Sequence, residues 1–138
     1  MRILGLDVGQ RRIGVAMSDP LGITAQRLTV IERRDLGQAV EAIAALATEH
    51  GVEAVVVGIP LTMKGEVGEQ AKLVLVLIEA LQARVACPIH QMDERLTTVQ
   101  GERMLLSTDA SRRTRKRLID QVAAQLILQA YLDAKRSD

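Results

Sequence analysis

Three carboxylates stand where an acid needs a reason. Asp7 interrupts an otherwise apolar run and is followed by Gly9, whose missing side chain would let a phosphate or a metal ion approach the backbone. Glu94 follows directly on the last expected strand, the position where open α/β sheets usually hold their ligands. Asp120 falls on a helical wheel just outside an apolar stripe centred on Ile119, Val122 and Ala123, beside Ile127 and Tyr131, where a helix packed on a sheet meets solvent. Carboxylate oxygens are hard ligands suited to magnesium or manganese. Each acid also has a plain structural alternative: Asp7 ends a strand and caps its turn, Glu94 is a solvated loop acid paired with Arg95, and Asp120 joins ordinary salt bridges on a solvated helix.

Basic residues flank these acids. Arg11 and Arg12 occupy the turn after Asp7, and Arg112, Arg113, Arg115, Lys116 and Arg117 make five of the six residues from 112 to 117 basic. Arg113, Lys116 and Arg117 precede Asp120 by seven, four and three residues, so they lie near its side of a helix. A charge run is commonly a solvated face, but beside an acidic centre these seven residues are candidates for phosphate-backbone contacts. The turn-rich stretch from Pro60 to Gly68 could add backbone N–H donors for a phosphate, although Glu66 and Glu69 would compete there.

The elements that must position these groups follow from hydrophobic spacing. Residues 2 to 8 and 13 to 18 read as two strands around a Gly9–Arg12 turn, and a third strand from about Ile23 to Ile31 completes a meander. Asp35 and Gln38 have capping-box spacing, and Val40, Ile43, Ala44 and Ala47 recur at helical intervals up to Gly51. Ala54 to Gly58 is an apolar run fit for a strand buried on both faces, with a crossover helix from Glu66 to Arg84 leading to a parallel strand from Pro88 to Met92. Thr97 and Gln100 form a second capping box and suggest a further helix that starts directly after Glu94 and runs to about Leu106, followed by a polar loop from Ser107 to Ser111. A last helix is expected from about Thr114 to Ala134, with Ile119, Val122, Ala123, Leu126 and Ala130 as its apolar stripe. The expected architecture is a mixed five-stranded α/β sheet flanked by helices in one domain spanning residues 1–138.

Composition narrows the chemistry further. With 138 residues, 48% of them hydrophobic, the chain can bury one proper core. Eighteen Lys and Arg nearly cancel 17 Asp and Glu, so affinity for nucleic acid must come from local patches. A single cysteine, Cys87, and two histidines, His50 and His90, provide neither an internal disulfide nor a zinc-type cluster. There is no Trp or Phe and one Tyr, Tyr131, which nearly removes base stacking on aromatic rings as a source of affinity. The longest purely apolar run, Leu73 to Ile78, is too short to span a bilayer, and no leader-like segment opens the sequence. A soluble cytoplasmic protein with no membrane partner is expected.

Several motifs together resemble a known family. Gly5-Leu6-Asp7-Val8-Gly9, Arg12-Ile13-Gly14-Val15-Ala16 and Ser18-Asp19 are similar to the opening of the YqgF/RuvX family, to which pre-16S rRNA nuclease activity is ascribed and which is related to the Holliday-junction resolvase RuvC. The likeness continues through Gly58-Ile59-Pro60-Leu61, Gly65, Gly68-Glu69-Gln70-Ala71, Asp93-Glu94-Arg95-Leu96-Thr97-Thr98, Ile119-Asp120, Ala123-Ala124, Ile127-Leu128 and Tyr131-Leu132, in order along almost the whole chain. The resemblance implies an RNase H-like fold in which Asp7, Glu94 and Asp120 form the catalytic, metal-binding centre. It further implies two Mg2+ or Mn2+ ions roughly 4 Å apart that activate water and stabilise the leaving oxygen. By the same analogy Asp7 bridges the ions while Glu94 and Asp120 each hold one side. Gln10, where the family often has a small polar residue, and Gly101, where Ala is common and Gly costs up to about 1 kcal/mol in a helix, are departures outside the acidic centre.

Three other readings stay open on the sequence. Holliday-junction or other branched-DNA cleavage would replace processing of the pre-16S rRNA 5′ end, and paired junction cuts would favour a homodimer over a monomer. A non-catalytic rRNA-binding assembly factor would keep the fold without the hydrolysis. A single-lobe ATP-binding protein would use the Asp-x-Gly strand for phosphate, although such proteins normally employ two lobes.

Overall fold

A computed structural model describes residues 2–96 and 112–136. One five-stranded sheet runs through it, formed by β1 (Ile3–Val8), β2 (Arg12–Ser18), β3 (Ala25–Glu32), β4 (Ala54–Ile59) and β5 (Ile89–Asp93) in the order β3-β2-β1-β4-β5. The meander pairs β1 with β2 and β2 with β3 antiparallel, and β4 and β5 then add in parallel. Helices α1 (Leu36–Glu49) and α2 (Glu69–Gln82) cover one face, and α3 (Arg112–Arg136) covers the other. Of the helix expected directly after Glu94, the described residues show one 3-10 turn, Glu94–Leu96; its remainder to Leu106, Gly101 and the loop from Ser107 to Ser111 lie outside the described residues.

Alternation along the strands separates the two faces. Leu4, Leu6, Ile13, Val15, Val55, Val57 and Ile59 pack against α1 and α2 in the larger core. The opposite face carries smaller residues, among them Ala16, Ala25 and Ala54 around Ile3 and Val56, and receives Ala124, Ile127, Leu128 and Leu132 of α3. All six residues of β4 are buried, in keeping with its apolar run and its place inside the sheet.

Helix α1 starts as its sequence predicts: the Asp35 carboxylate accepts from Gln38 N at 2.8 Å. The Gln38 side chain in turn accepts from Arg34 N at 2.9 Å, one residue earlier than in the reciprocal capping box. Helix α2 begins at Glu69, three residues later than expected, because Thr62 and Glu66 close a turn on each other. Thr62 N donates to the Glu66 carbonyl at 2.9 Å and Glu66 N to the Thr62 hydroxyl at 3.1 Å, with Gly65 at φ +82 between them.

Where α3 lies on the sheet is set by glycines. A Cβ on Gly5 would stand 2.6 Å from Leu128 Cβ, and one on Gly58 would stand 2.5 Å from Ile127 Cδ1. At Gly14 the contact is with the helix backbone itself, since a Cβ there would run into the carbonyl of Asp120. Only a residue without a side chain permits such an approach. The register of α3 follows from it, and its packed side is Ala124, Ile127, Leu128 and Leu132; Ile119, Val122, Ala123, Leu126 and Ala130 are only half-buried. The expected stripe is thereby corrected. Between residues 118 and 132 this helix is apolar around most of its circumference, so spacing alone did not select a face, and Asp120, four residues before Ala124, stands on the side that meets the sheet.

Replacing Gly14 by Ala is therefore expected to lower stability by about 3 kcal/mol, the upper part of the range for overpacking, because a backbone carbonyl cannot rotate away. Urea denaturation of Gly14→Ala beside Gly37→Ala, whose added Cβ meets only the Asp35 carboxylate at 3.5 Å, checks this. Equal midpoints would remove the glycine as the determinant of α3 docking.

Candidate active site

Asp7 is on β1 two residues after Gly5 and so on the α3 face. Its Cα partner on β2 is Gly14, the residue over which the Asp120 backbone rests. On the other side β4 runs parallel in the register Leu6 to Val57, which brings Gly58 next to Asp7. The space a Gly58 side chain would fill holds the Glu94 side chain, whose Oε1 would be 2.8 Å from a Cβ there. Asp7 is thus flanked by two glycines, one roofed by the backbone of Asp120 and the other by the carboxylate arm of Glu94. All three acids gather on the same face at the carboxyl ends of β1, β4 and β5.

They are not equivalent. Asp7 and Glu94 both line a cavity of about 440 Å³ that opens at this edge of the sheet. The Asp120 carboxylate is held by Arg12, whose Nε donates to Oδ2 at 2.6 Å; the two side chains are 28% and 19% exposed, so the pair is substantially shielded. This hydrogen bond, more than the nearby charges of Asp120 and Glu32, raises the Arg12 pKa against the lowering effect of burial. Among the described residues, no three His, Cys, Asp or Glu side chains stand close enough to hold a metal ion together.

The basic candidates divide in the same way. Arg12 binds Asp120, and Arg117 binds Glu32 with Nη1 to Oε1 at 2.7 Å. Glu32 is the Cα partner of Arg12, so Asp120, Arg12, Glu32 and Arg117 form an alternating chain of charge that ties α3 to β2 and β3. These two arginines are therefore committed within the protein. Arg11 and Lys116 are exposed and Arg115 is half-exposed; the side chains of Arg112 and Arg113 lie outside the described ones.

Two further expectations change. Arg95 does not pair with Glu94 but clasps Asp93, donating from Nε, Nη2 and its backbone N, and these hydrogen bonds hold the Asp93 carboxyl below its ordinary range. The guanidinium also lies against Gly65 and reaches the Met63 carbonyl at 3.4 Å, so it fastens the β4–α2 loop beside Glu94. In that loop the N–H groups of Leu61, Thr62, Gly65 and Glu66 are used internally, which withdraws them as phosphate donors. The bareness of Gly9 serves its turn: Gly9 N donates to the Arg12 carbonyl at 2.9 Å, and a Cβ would be 2.7 Å from that oxygen.

Sequence reasoning passed over Arg33, Arg34, Gln70 and Leu73, which share the cavity with Asp7 and Glu94. The signal available was the Arg33-Arg34 pair just after the third strand, which a meander returns to the same edge as the end of β1. Arg33 Nη1 donates to the Gly9 carbonyl at 2.9 Å, and Arg33 N donates to the Arg11 carbonyl at 2.8 Å.

The family model for RuvX, described as Holliday junction resolvase, matches residues 1–134. The chain belongs to the RuvX family. Curated relatives named "Putative pre-16S rRNA nuclease" include one from Moorella thermoacetica, 56% identical over 133 residues that cover 96% of this chain and 95% of the relative. Another, from Desulforamulus reducens, is 49% identical over 97% of this chain and 98% of its own. Among solved structures, Thermus thermophilus RuvC in complex with a Holliday junction substrate superposes with a TM-score of 0.60 at 16% identity, covering 99% of this chain and 96% of that one. The Fowlpox virus resolvase in complex with Holliday junction DNA gives 0.61 at 11% identity, over 98% and 99%. The fold is RNase H-like, and the RuvX family carries it here in five strands with α3 laid across the acidic face.

The Arg12–Asp120 pair lends itself to a double-mutant cycle. Arg12→Met, Asp120→Asn and the double variant are expected to give a coupling energy of about 1–3 kcal/mol in chemical denaturation, the range for hydrogen bonds between charged groups. Additivity to within about 0.5 kcal/mol would mean that the pair does not anchor α3.

Proposed function

We propose that this RuvX member is a single-domain, cytoplasmic, metal-dependent nuclease that hydrolyses phosphodiester bonds in RNA and acts on the 5′ end of pre-16S rRNA. The observation that carries the reading is the gathering of Asp7, Glu94 and Asp120 on one face of the sheet around two glycines, at the strand ends where such folds hold their ligands. The names borne by relatives about half identical to it over nearly their whole length favour RNA.

The donor set suits a hard divalent cation: three carboxylates, no sulfur and no imidazole. Asp7 and Glu94 would hold such an ion at their shared cavity, and Asp120 would join when Arg12 releases it. Bound Mg2+ or Mn2+ would supply an activated water and charge stabilisation at the leaving oxygen. The protein's own part is to bring three anionic side chains to one face of the sheet and to neutralise one of them with Arg12. Arg11, Arg115 and Lys116 offer charge to the phosphates on either side.

Asp7→Asn and Glu94→Gln are each expected to reduce cleavage by at least 100-fold, of the order seen when one preorganised charged group is removed from an active site, with the far-UV spectrum unchanged. The assay sets matched RNA, single-stranded DNA and four-way junctions side by side under magnesium and manganese. Preferential cutting of the junction would move the activity to branched DNA. Binding without cutting under any metal would make the protein an assembly factor.

Neutralising Arg11, Arg115 and Lys116 together should flatten the dependence of RNA affinity on salt, by roughly one unit in slope for each phosphate that is no longer neutralised. Doing the same at Arg117 alone should leave the slope unchanged, since its charge is spent on Glu32.

A further inference from the structure

The cavity beside the acids has a second wall that the hydrolytic centre does not use. Asp7, Gly14 and Asp120 share the α3 face, yet the cavity extends around the sheet edge to the opposite face, between α1 and α2. Its floor there is aliphatic, made by Val8, Leu36, Leu73 and Val74. Val74 is fully packed, whereas Leu73 is 51% exposed with its side chain against the opening. Gln10 and Gln70 stand at the rim with their amides exposed, and Arg33 and Arg34 form the side next to β3. The one acid on this wall, Asp35, is engaged as the cap of α1.

We infer that this cavity receives one unstacked nucleotide of the substrate strand, with the base on the Leu36–Leu73–Val74 floor, its edge at Gln10 and Gln70, and an adjoining phosphate at Arg33 and Arg34. The inference rests on the nuclease reading for the identity of the ligand. Three features support it. The volume of about 440 Å³ lies within the range of pockets that enclose one small-molecule-sized group. The cavity shares Asp7 and Glu94 with the acidic centre, so a strand whose phosphate sits at those acids delivers its neighbouring nucleotide to this opening. A stacked duplex cannot reach both faces of a sheet at once; a nucleotide turned out of the stack can, and enzymes that extrude a base hold it between apolar side chains and read its edge by hydrogen bonds.

The composition bears on the same point. The chain contains no Trp or Phe, and its sole Tyr, Tyr131, is stacked on His90 with ring centroids 5.4 Å apart, on β5 and α3. No aromatic platform is available at the acids, and the aliphatic slot with amides at its rim offers a base a surface of another kind. Gln10, the departure from the family's small polar residue, then gains a role as a side chain that selects the base.

A single-stranded RNA carrying 2-aminopurine at successive positions tests this, with calcium as the divalent ion during binding and cleavage of the same RNA followed in magnesium and manganese. Fluorescence should rise several-fold at one position when the full-length protein binds. Leu73→Glu, on an exposed helix position, should abolish that rise and weaken binding about 10-fold, toward the lower end of what one base stacked on an aromatic ring contributes. Gln70→Ala should leave the rise in place and reduce discrimination among bases at that position. Circular dichroism and the thermal midpoint of both variants should match the parent. A rise at no position, or one that Leu73→Glu leaves intact, overturns the inference even if the RNA is cut normally. A Leu73-dependent rise with no cleavage under either metal upholds the cavity as a nucleotide site and overturns the nuclease reading instead.

Discussion

Everything at the candidate centre depends on how closely α3 can approach the sheet. Gly5, Gly14 and Gly58 leave a shallow trough on three adjacent strands, and α3 fills it with Leu128, the Asp120 backbone and Ile127. The same absence of side chains that lets the helix settle lets the Asp120 backbone and the Glu94 side chain close in beside Asp7, so fold stability and site geometry draw on the same glycines. A larger residue at Gly14 would lift the helix and carry Asp120 away with it. One at Gly58 would displace Glu94 as well as Ile127.

The charge chain from Asp120 through Arg12 and Glu32 to Arg117 works with this packing. Dispersion contacts fix how deep the helix sits, and the ion pairs fix the position of its N-terminal half above β2 and β3. Each of these arginines has a carboxylate at its tip, so its charge is engaged within the protein even where, as at Arg117, the side chain stays exposed. Partial shielding makes the Arg12–Asp120 pair more than the weak interaction typical of exposed ions, whereas Arg117–Glu32 stays exposed.

Much of this was legible in the sequence, for identifiable reasons. The strand that becomes β4 declared itself by an unbroken apolar run, and α1 by the Asp35–Gln38 spacing, because burial on both faces and helix capping leave local signatures. The acids could be singled out because Asp7 interrupts an apolar run, Glu94 follows directly on a strand, and Asp120 borders an apolar stripe. The packed side of α3 was not legible: its apolar residues exceed what one face needs, and the choice is made by glycines more than 60 residues earlier in the chain. The pairing of Arg12 with Asp120, 108 residues apart, and the cavity wall of Arg33, Gln70 and Leu73 were hidden for the same reason, since each exists only once distant elements share an edge.

The glutamines of α3 have an effect on the sheet's own growth. Gln129 Oε1 accepts from Ala25 N at 2.8 Å, Gln125 Nε2 donates to the Ala25 carbonyl at 2.9 Å, and Gln129 Nε2 reaches the Ile23 carbonyl at 3.0 Å. Since β3 is an edge strand, the N–H and carbonyl of Ala25 are backbone groups that an incoming strand would otherwise seek, and Ile23 lies just before it. With them occupied by side chains, the first residue of β3 presents no free ladder groups, and the edge is closed at that point from within the chain.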